Sequence, residues 1–235
     1  MIAERVAEVR ERIDAACARA GRDPAGVTLV AVTKTFPPDV VQAAAEAGLR
    51  DFGENRVQEL VAKSEAVPGE AMGGQVRWHL IGPLQRNKAR EAAARADLFH
   101  ALDDVRTAEA LDRRAEAAGR VLSCLVQVNV SGEGSKSGVP PAEAHALLER
   151  VAAFPRLRIE GLMTMAAFVT TADELERVVR PQFRHLREVA EAWPKDHPAV
   201  QLHHLSMGMS GDYEVAVEEG ATLVRVGTAL FGERT

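Results

Sequence analysis

The sequence predicts an α/β fold, a single (β/α)8 TIM barrel with an additional N-terminal helix. Two observations carry this. The 235-residue chain alternates eight short apolar runs with Ala/Glu/Arg-rich segments of helical period, and eight such units in about 250 residues match the size of a TIM barrel. The best-formed runs are also nearly continuously apolar, as parallel strands are when helices cover the sheet. A doubly wound open sheet is the alternative. Its G-x-G-x-x-G fingerprint after the first strand is absent, and Lys34-Thr35-Phe36-Pro37 stands in that place.

The elements follow in order. Residues 1–21 carry charges every few positions and read as an amphipathic helix ending near Gly21, not as a secretion signal. The first strand is 27–33. Pro37-Pro38-Asp39 places proline and acid in the first turn of a helix over 38–48, and Gly48 sits where a C-terminal glycine belongs. Strand 50–53 and helix 56–66 follow, then strand 76–81, helix 85–95 and strand 97–101. Helix 104–119 closes at Gly119, and strand 122–129 leads into the polar loop 131–139. Pro140-Pro141-Ala142-Glu143 opens a helix over 141–153, followed by strand 158–163. The long helix 173–193 carries Phe183 and Trp193, read as core anchors. Strand 200–205, helix 212–219 and strand 222–226 complete eight alternations. No linker or repeat divides the chain, so one domain over 1–235 is expected.

Hydrophobic residues make up 46% and charged residues 27%, ordinary for a globular protein. A net charge of -5 and a pI near 5.9 argue against nonspecific nucleic-acid binding. Cys17 and Cys124 have no metal-ligand or redox spacing, which fits a reducing compartment. No run of apolar residues is long enough to span a bilayer. A cytoplasmic protein without membrane or nucleic-acid partners is expected. His203 and His204 are adjacent in a strand and face opposite sides, which disfavours a shared metal.

The unusual residues fall at the carboxyl ends of the strands, where TIM barrels collect their chemistry. Lys34 ends the first apolar run. The chain holds five lysines against 24 arginines, and only lysine can lose its proton and bond a carbonyl carbon. The plain alternative is a strand-end lysine reaching solvent. Asn55 follows strand two, Lys136 lies in the loop after strand five, and Met163 ends strand six. Ser206-Met207-Gly208-Met209-Ser210-Gly211 and Gly227-Thr228 follow strands seven and eight with the small, hydroxyl-bearing composition of a phosphate cradle. Asp212 runs against that reading and is expected to cap a helix or point outward. Arg225 at the end of an apolar strand is costly unless paired, either structurally or against a ligand. A reactive lysine and a phosphate cradle on one barrel mouth point to pyridoxal 5'-phosphate (PLP). A cofactor-free Schiff-base aldolase stays open. His79 reads as a hydrogen-bonded core histidine, Tyr213 as packing beside the phosphate loop, Lys63 and Lys195 as surface, and Lys88 as either surface or anion-binding.

The chain also resembles the pyridoxal-phosphate homeostasis protein family, related to the N-terminal barrel of alanine racemase. The matching strings are Ala31-Val32-Thr33-Lys34-Thr35, Phe52-Gly53-Glu54-Asn55-Arg56-Val57-Gln58-Glu59, and Trp78-His79-Leu80-Ile81-Gly82-Pro83-Leu84-Gln85-Arg86-Asn87-Lys88. Gly134-Ser135-Lys136-Ser137-Gly138, Gly161-Leu162-Met163, Ser206-Met207-Gly208-Met209-Ser210 and Val224-Arg225-Val226-Gly227-Thr228-Ala229-Leu230-Phe231-Gly232 continue the match. Leu80 and Gly211 depart mildly from the family pattern. The resemblance implies one PLP, with Lys34 as Schiff-base lysine and Asn55 near the ring. Ser206, Gly208, Ser210, Gly227 and Thr228 would hold phosphate, Met163 would belong to the same site, and Arg225 would face the pyridine nitrogen or the phosphate. Lys136 resembles a second lysine that accepts or relays PLP. The related racemases use a tyrosine base supplied with help from a further β-domain. The expectation is therefore a PLP carrier or buffer without strong catalysis that hands cofactor to apo PLP-dependent enzymes, and a monomer or weak dimer is expected. A PLP-dependent amino-acid racemase is the rival.

Overall fold

The computed structural model describes residues 1–67 and 75–232. Its order is α1 (Ile2–Ala20), β1 (Thr28–Val32), α2 (Pro38–Glu46), β2 (Asp51–Glu54), α3 (Val57–Ala66), β3 (Arg77–Leu80), α4 (Ala89–Arg95), β4 (Leu98–Leu102), α5 (Val105–Ala117), β5 (Leu122–Gln127), α6 (Ala144–Val151), β6 (Leu157–Met163), α7 (Ala172–Glu174), α8 (Arg180–Glu191), β7 (Val200–Ser206), α9 (Tyr213–Glu218), β8 (Leu223–Val226) and α10 (Thr228–Phe231). All eight strands pair in parallel with their sequence neighbours, and β1 pairs with β8 to close the barrel. Strand ends lie within two residues of the expected positions. The long helix over 173–193 differs: it is α7, a π-helical turn over Leu175–Val179, and then α8, because one extra residue is looped into the helical ladder.

Burial explains the pattern. In α1 the buried residues Val6, Val9, Ile13, Ala16 and Cys17 recur at helical spacing and pack the helix on the barrel. Each such side chain contributes roughly 1.5–3 kcal/mol if fully buried and large. Phe183 and Trp193 are core residues, as read from the sequence. Arg12 and Arg19 pair with Glu214 and Glu218, so α1 is docked on α9. Arg22 donates to Val217 O and Ala221 O from the turn after α1. Glu219 gathers Arg180, Arg184 and Arg187, fixing α8 to the end of α9. No described helix is long and apolar enough to cross a membrane.

Candidate functional site

The carboxyl ends of the strands surround a cavity of about 430 Å³, within the usual size of a small-molecule site. Lys34, Asn55, Ser210, Arg225, Gly227 and Thr228 all line it. Strand register puts them there: β1 lies between β2 and β8, so Lys34 stands between Asn55 on one side and Gly227-Thr228 on the other.

The turn holding Lys34 is strained and braced. Thr35 has φ 69°, rare for a β-branched residue. Its N–H donates to Glu59 Oε2 at 2.7 Å. Behind it, Lys63 Nζ donates to Thr33 O and to Glu54 Oε1, both at 2.6 Å, and Thr33 Oγ1 donates to the same Glu54 oxygen at 2.6 Å. Lys63 is therefore not a surface lysine. Helix α3 lays it over the end of β2, where Glu54 supplies a fully buried counter-charge. Burial raises the Glu54 carboxyl above its ordinary range, and Lys63 and Thr33 oppose that rise.

The cradle is built from backbone. Gly208 adopts φ 93°, and a Cβ there would lie 2.6 Å from Ala216 Cβ and 2.9 Å from Tyr213 Cα, so only glycine fits. The N–H groups of Gly227 and Ala229 converge on Ser210 Oγ at 3.2 and 3.3 Å. Two amides aimed at one oxygen are the arrangement that an anionic oxygen requires. Asp212 neither caps α9 through its side chain nor points outward. Its Oδ1 accepts from Met209 N–H at 2.5 Å, it lines the cavity, and burial raises its carboxyl.

Arg225 is only 4% exposed and forms part of the cavity wall. Its Nη1 donates to Ser206 Oγ at 2.6 Å and its Nη2 to Thr164 O at 2.8 Å. Burial lowers its guanidinium to about 10, opposed by Asp212, which leaves it charged at neutral pH.

Four expected site residues do not line the cavity. Ser206 is fully buried beneath it, committed to Arg225 and His100. Met163 packs in the core at the end of β6, and Met165 lines the cavity instead. Gly208 shapes its loop from behind. Lys136 Nζ donates to Glu133 Oε1 at 2.8 Å and to Ala166 O at 2.7 Å, tying the loop after β5 to the loop after β6. Sequence reasoning missed Ile81, Gln127, Phe168 and Met209 in the wall. Gln127 carried a signal, a polar residue at the end of an apolar strand. Phe168, 88% exposed, carried none. Tyr213 is 1% exposed and packs behind the cradle with Arg12 over its ring at 5.3 Å. His203 is exposed and His204 half-buried, and no cluster able to hold a metal occurs among the described residues.

Fold and site together define the class: a closed (β/α)8 barrel whose mouth presents one lysine, one buried arginine and a glycine-hydroxyl cradle. The alanine racemase N-terminal domain matches residues 5–235. A pyridoxal phosphate homeostasis protein of Aquifex aeolicus is 42% identical over 98% of this chain and 97% of its own. One of Escherichia coli is 43% identical over 99% and 97%. The solved structure of PipY of Synechococcus elongatus PCC7942 with PLP bound superposes with a TM-score of 0.82 at 38% identity, covering 99% of this chain and 100% of that one. The chain belongs to the pyridoxal phosphate homeostasis protein family, within the alanine racemase N-terminal domain family.

Proposed function

We propose that this barrel binds PLP through a Schiff base to Lys34 and acts as a carrier or buffer of the cofactor, without strong catalysis. One observation carries the reading: Lys34 and the Ser210/Gly227/Thr228 cradle open onto the same cavity, with Arg225 in its wall. Bound PLP would supply an aldehyde carbon for the Lys34 amine. The residues fit it. The Gly227 and Ala229 amides already converge on one oxygen, which suits a phosphate, and Asn55, beside Lys34 in the cavity wall, would approach the ring. Arg225, fixed by Ser206 and Thr164, would face the pyridine nitrogen or the phosphate. An arginine at a pyridine nitrogen keeps that nitrogen unprotonated and weakens the ring as an electron sink.

The position of Tyr213 supports the reading of weak chemistry. The chain's one tyrosine is buried between α1 and α9 rather than aimed into the cavity. The whole chain would work as one PLP-binding domain in the cytoplasm, as a monomer or weak dimer, passing cofactor to apo PLP-dependent enzymes. Absorption spectra of the purified protein and of Lys34→Ala test the reading. A visible band absent from the variant, with borohydride fixing the cofactor on Lys34, is the expected result. A colourless protein that ignores added PLP would overturn it. Rapid α-proton exchange from a common amino acid would overturn the carrier role alone.

A further inference from the structure

A hydrogen-bonded line of five buried side chains crosses the barrel interior, where layers of branched aliphatic residues ordinarily pack. Asp51 Oδ1 lies 2.9 Å from His79 Nε2, and His79 Nδ1 lies 2.9 Å from His100 Nε2. His100 Nδ1 is 2.9 Å from Ser206 Oγ, to which Arg225 Nη1 donates at 2.6 Å. The step from His100 on β4 to Ser206 on β7 joins strands that are not neighbours, so it spans the lumen. Asp51 is the first residue of β2, at the barrel face opposite the mouth. There it pairs at 2.7 Å with Arg77 Nη2, whose side chain is 56% exposed.

One end dictates the direction of every proton. Arginine only donates, so Ser206 Oγ accepts from it. Among the described residues, the other partner of that hydroxyl is His100 Nδ1, to which the serine O–H donates. His100 is fully buried, and burial above all pushes it well below its ordinary range. A neutral His100 that accepts at Nδ1 carries its hydrogen on Nε2 and donates to His79 Nδ1. His79, accepting at Nδ1, then carries its hydrogen on Nε2 and donates it to the Asp51 carboxylate. Burial would raise that carboxyl, but His79 and Arg77 outweigh it and hold it below its ordinary range.

The contacts of Arg225 itself are with neutral oxygens, Ser206 Oγ and Thr164 O. A buried guanidinium in that position is costly unless negative charge reaches it; Asp212 in the cavity wall supplies part of that charge without touching it. Chains of hydrogen bonds polarise one another in a low-dielectric interior. We propose that Asp51, His79, His100 and Ser206 are positioning residues, forming a one-way relay that carries the pull of a carboxylate on the far face of the barrel to Arg225 in the cavity wall. Its effect on ligand rests on the PLP reading above, whereas its proton order does not.

The test separates the two. Long-range proton–nitrogen correlation spectra of the 15N-labelled protein, without added PLP at neutral pH, should show His79 and His100 each with one proton, on Nε2. Asp51→Asn keeps an oxygen for His79 but removes the charge, and it should move the Nε resonance of Arg225 at the opposite end. Either ring protonated on Nδ1 or on both nitrogens, or an Arg225 signal unchanged by Asp51→Asn, would overturn the relay. His100→Gln provides an acceptor and a donor in the same order, so if Asp51→Asn fails to fold, His100→Gln compared with His100→Leu decides. The glutamine should hold the Arg225 resonance near its original position and the leucine should not, and equal displacement overturns the proposal. In PLP titrations Asp51→Asn should change the dissociation constant roughly 2- to 30-fold, the span of coupling along contiguous networks. A wild-type protein that takes up no PLP would remove the proposed function while leaving the ring protonation to decide the relay.

Discussion

Replacing Lys63 with methionine keeps the aliphatic stem and deletes the charge, and the structure sets the cost. Glu54 is fully buried, its Oε1 accepts from Lys63 and Thr33, and its Oε2 has no protein partner. Without Lys63 a carboxylate stays buried with one hydroxyl for company, and Thr33 O loses its donor. Breaking a buried pair in this way costs about 3–5 kcal/mol. For a chain of this length each kcal/mol moves the midpoint by roughly 2–4 °C, so a fall of about 10 °C is expected in thermal unfolding followed by the fluorescence of buried Trp78 and Trp193. The pH dependence has a definite sign. A carboxyl whose folded pKa is raised contributes stability that is present below its unfolded pKa and lost as pH rises through the folded value. Lys63 offsets that loss in the wild type. The deficit of Lys63→Met should therefore be largest at neutral pH and shrink on acidification into the glutamate range, and Glu54→Gln in the same chain should recover most of it. A deficit under about 1 kcal/mol, the scale of an exposed pair, or one indifferent to pH, would refute the reasoning.

Three further outcomes follow. Gly208→Ala places a methyl against Ala216 and Tyr213 at a left-handed φ, so it should cost at least about 1–2 kcal/mol and weaken PLP retention by equilibrium dialysis more than Gly211→Ala, whose Cβ meets nothing within 4 Å. Arg225→Lys cannot reach Ser206 Oγ and Thr164 O together, and PLP titration should show at least about tenfold weaker binding, the worth of one charge-assisted bond. Cys17 and Cys124 are buried, and burial raises both thiols; a thiol reagent should label neither in native protein and both in denaturant.

The barrel was legible because parallel strands covered by helices are continuously apolar and each begins a short distance after a recognisable helix end. Once the strands are placed, their carboxyl ends fall where Lys34, Asn55, Ser210, Arg225, Gly227 and Thr228 stand, so much of the site followed from the fold. What failed was depth. Ser206 and Ser210 look alike in one loop, yet Ser206 is the last residue of β7 and sits under the cavity. Lys63 lies four residues after Glu59 on a helix, a spacing that reads as a solvated pair, and only the approach of Glu54 from β2 buries it. Asp51 and His100 are single polar residues in apolar runs. Each alone reads as a satisfied core group; His79 on the strand between joins them, and the next step, from His100 to Ser206, depends on β4 and β7 facing each other across the lumen, which no local pattern encodes.

The closure between β1 and β8 has a mechanical meaning for a ligand. A cylinder made from one chain has a single seam, where the first strand meets the last, and the contacts along it join residues nearly the whole sequence apart, those with the largest loop-closure entropy. Lys34 is on one lip of that seam and Gly227-Thr228 on the other. A molecule bonded to the first and gripped by the second would act as a rivet across it. Loading would then tighten the barrel along that seam, and giving the cargo up would loosen the container that held it.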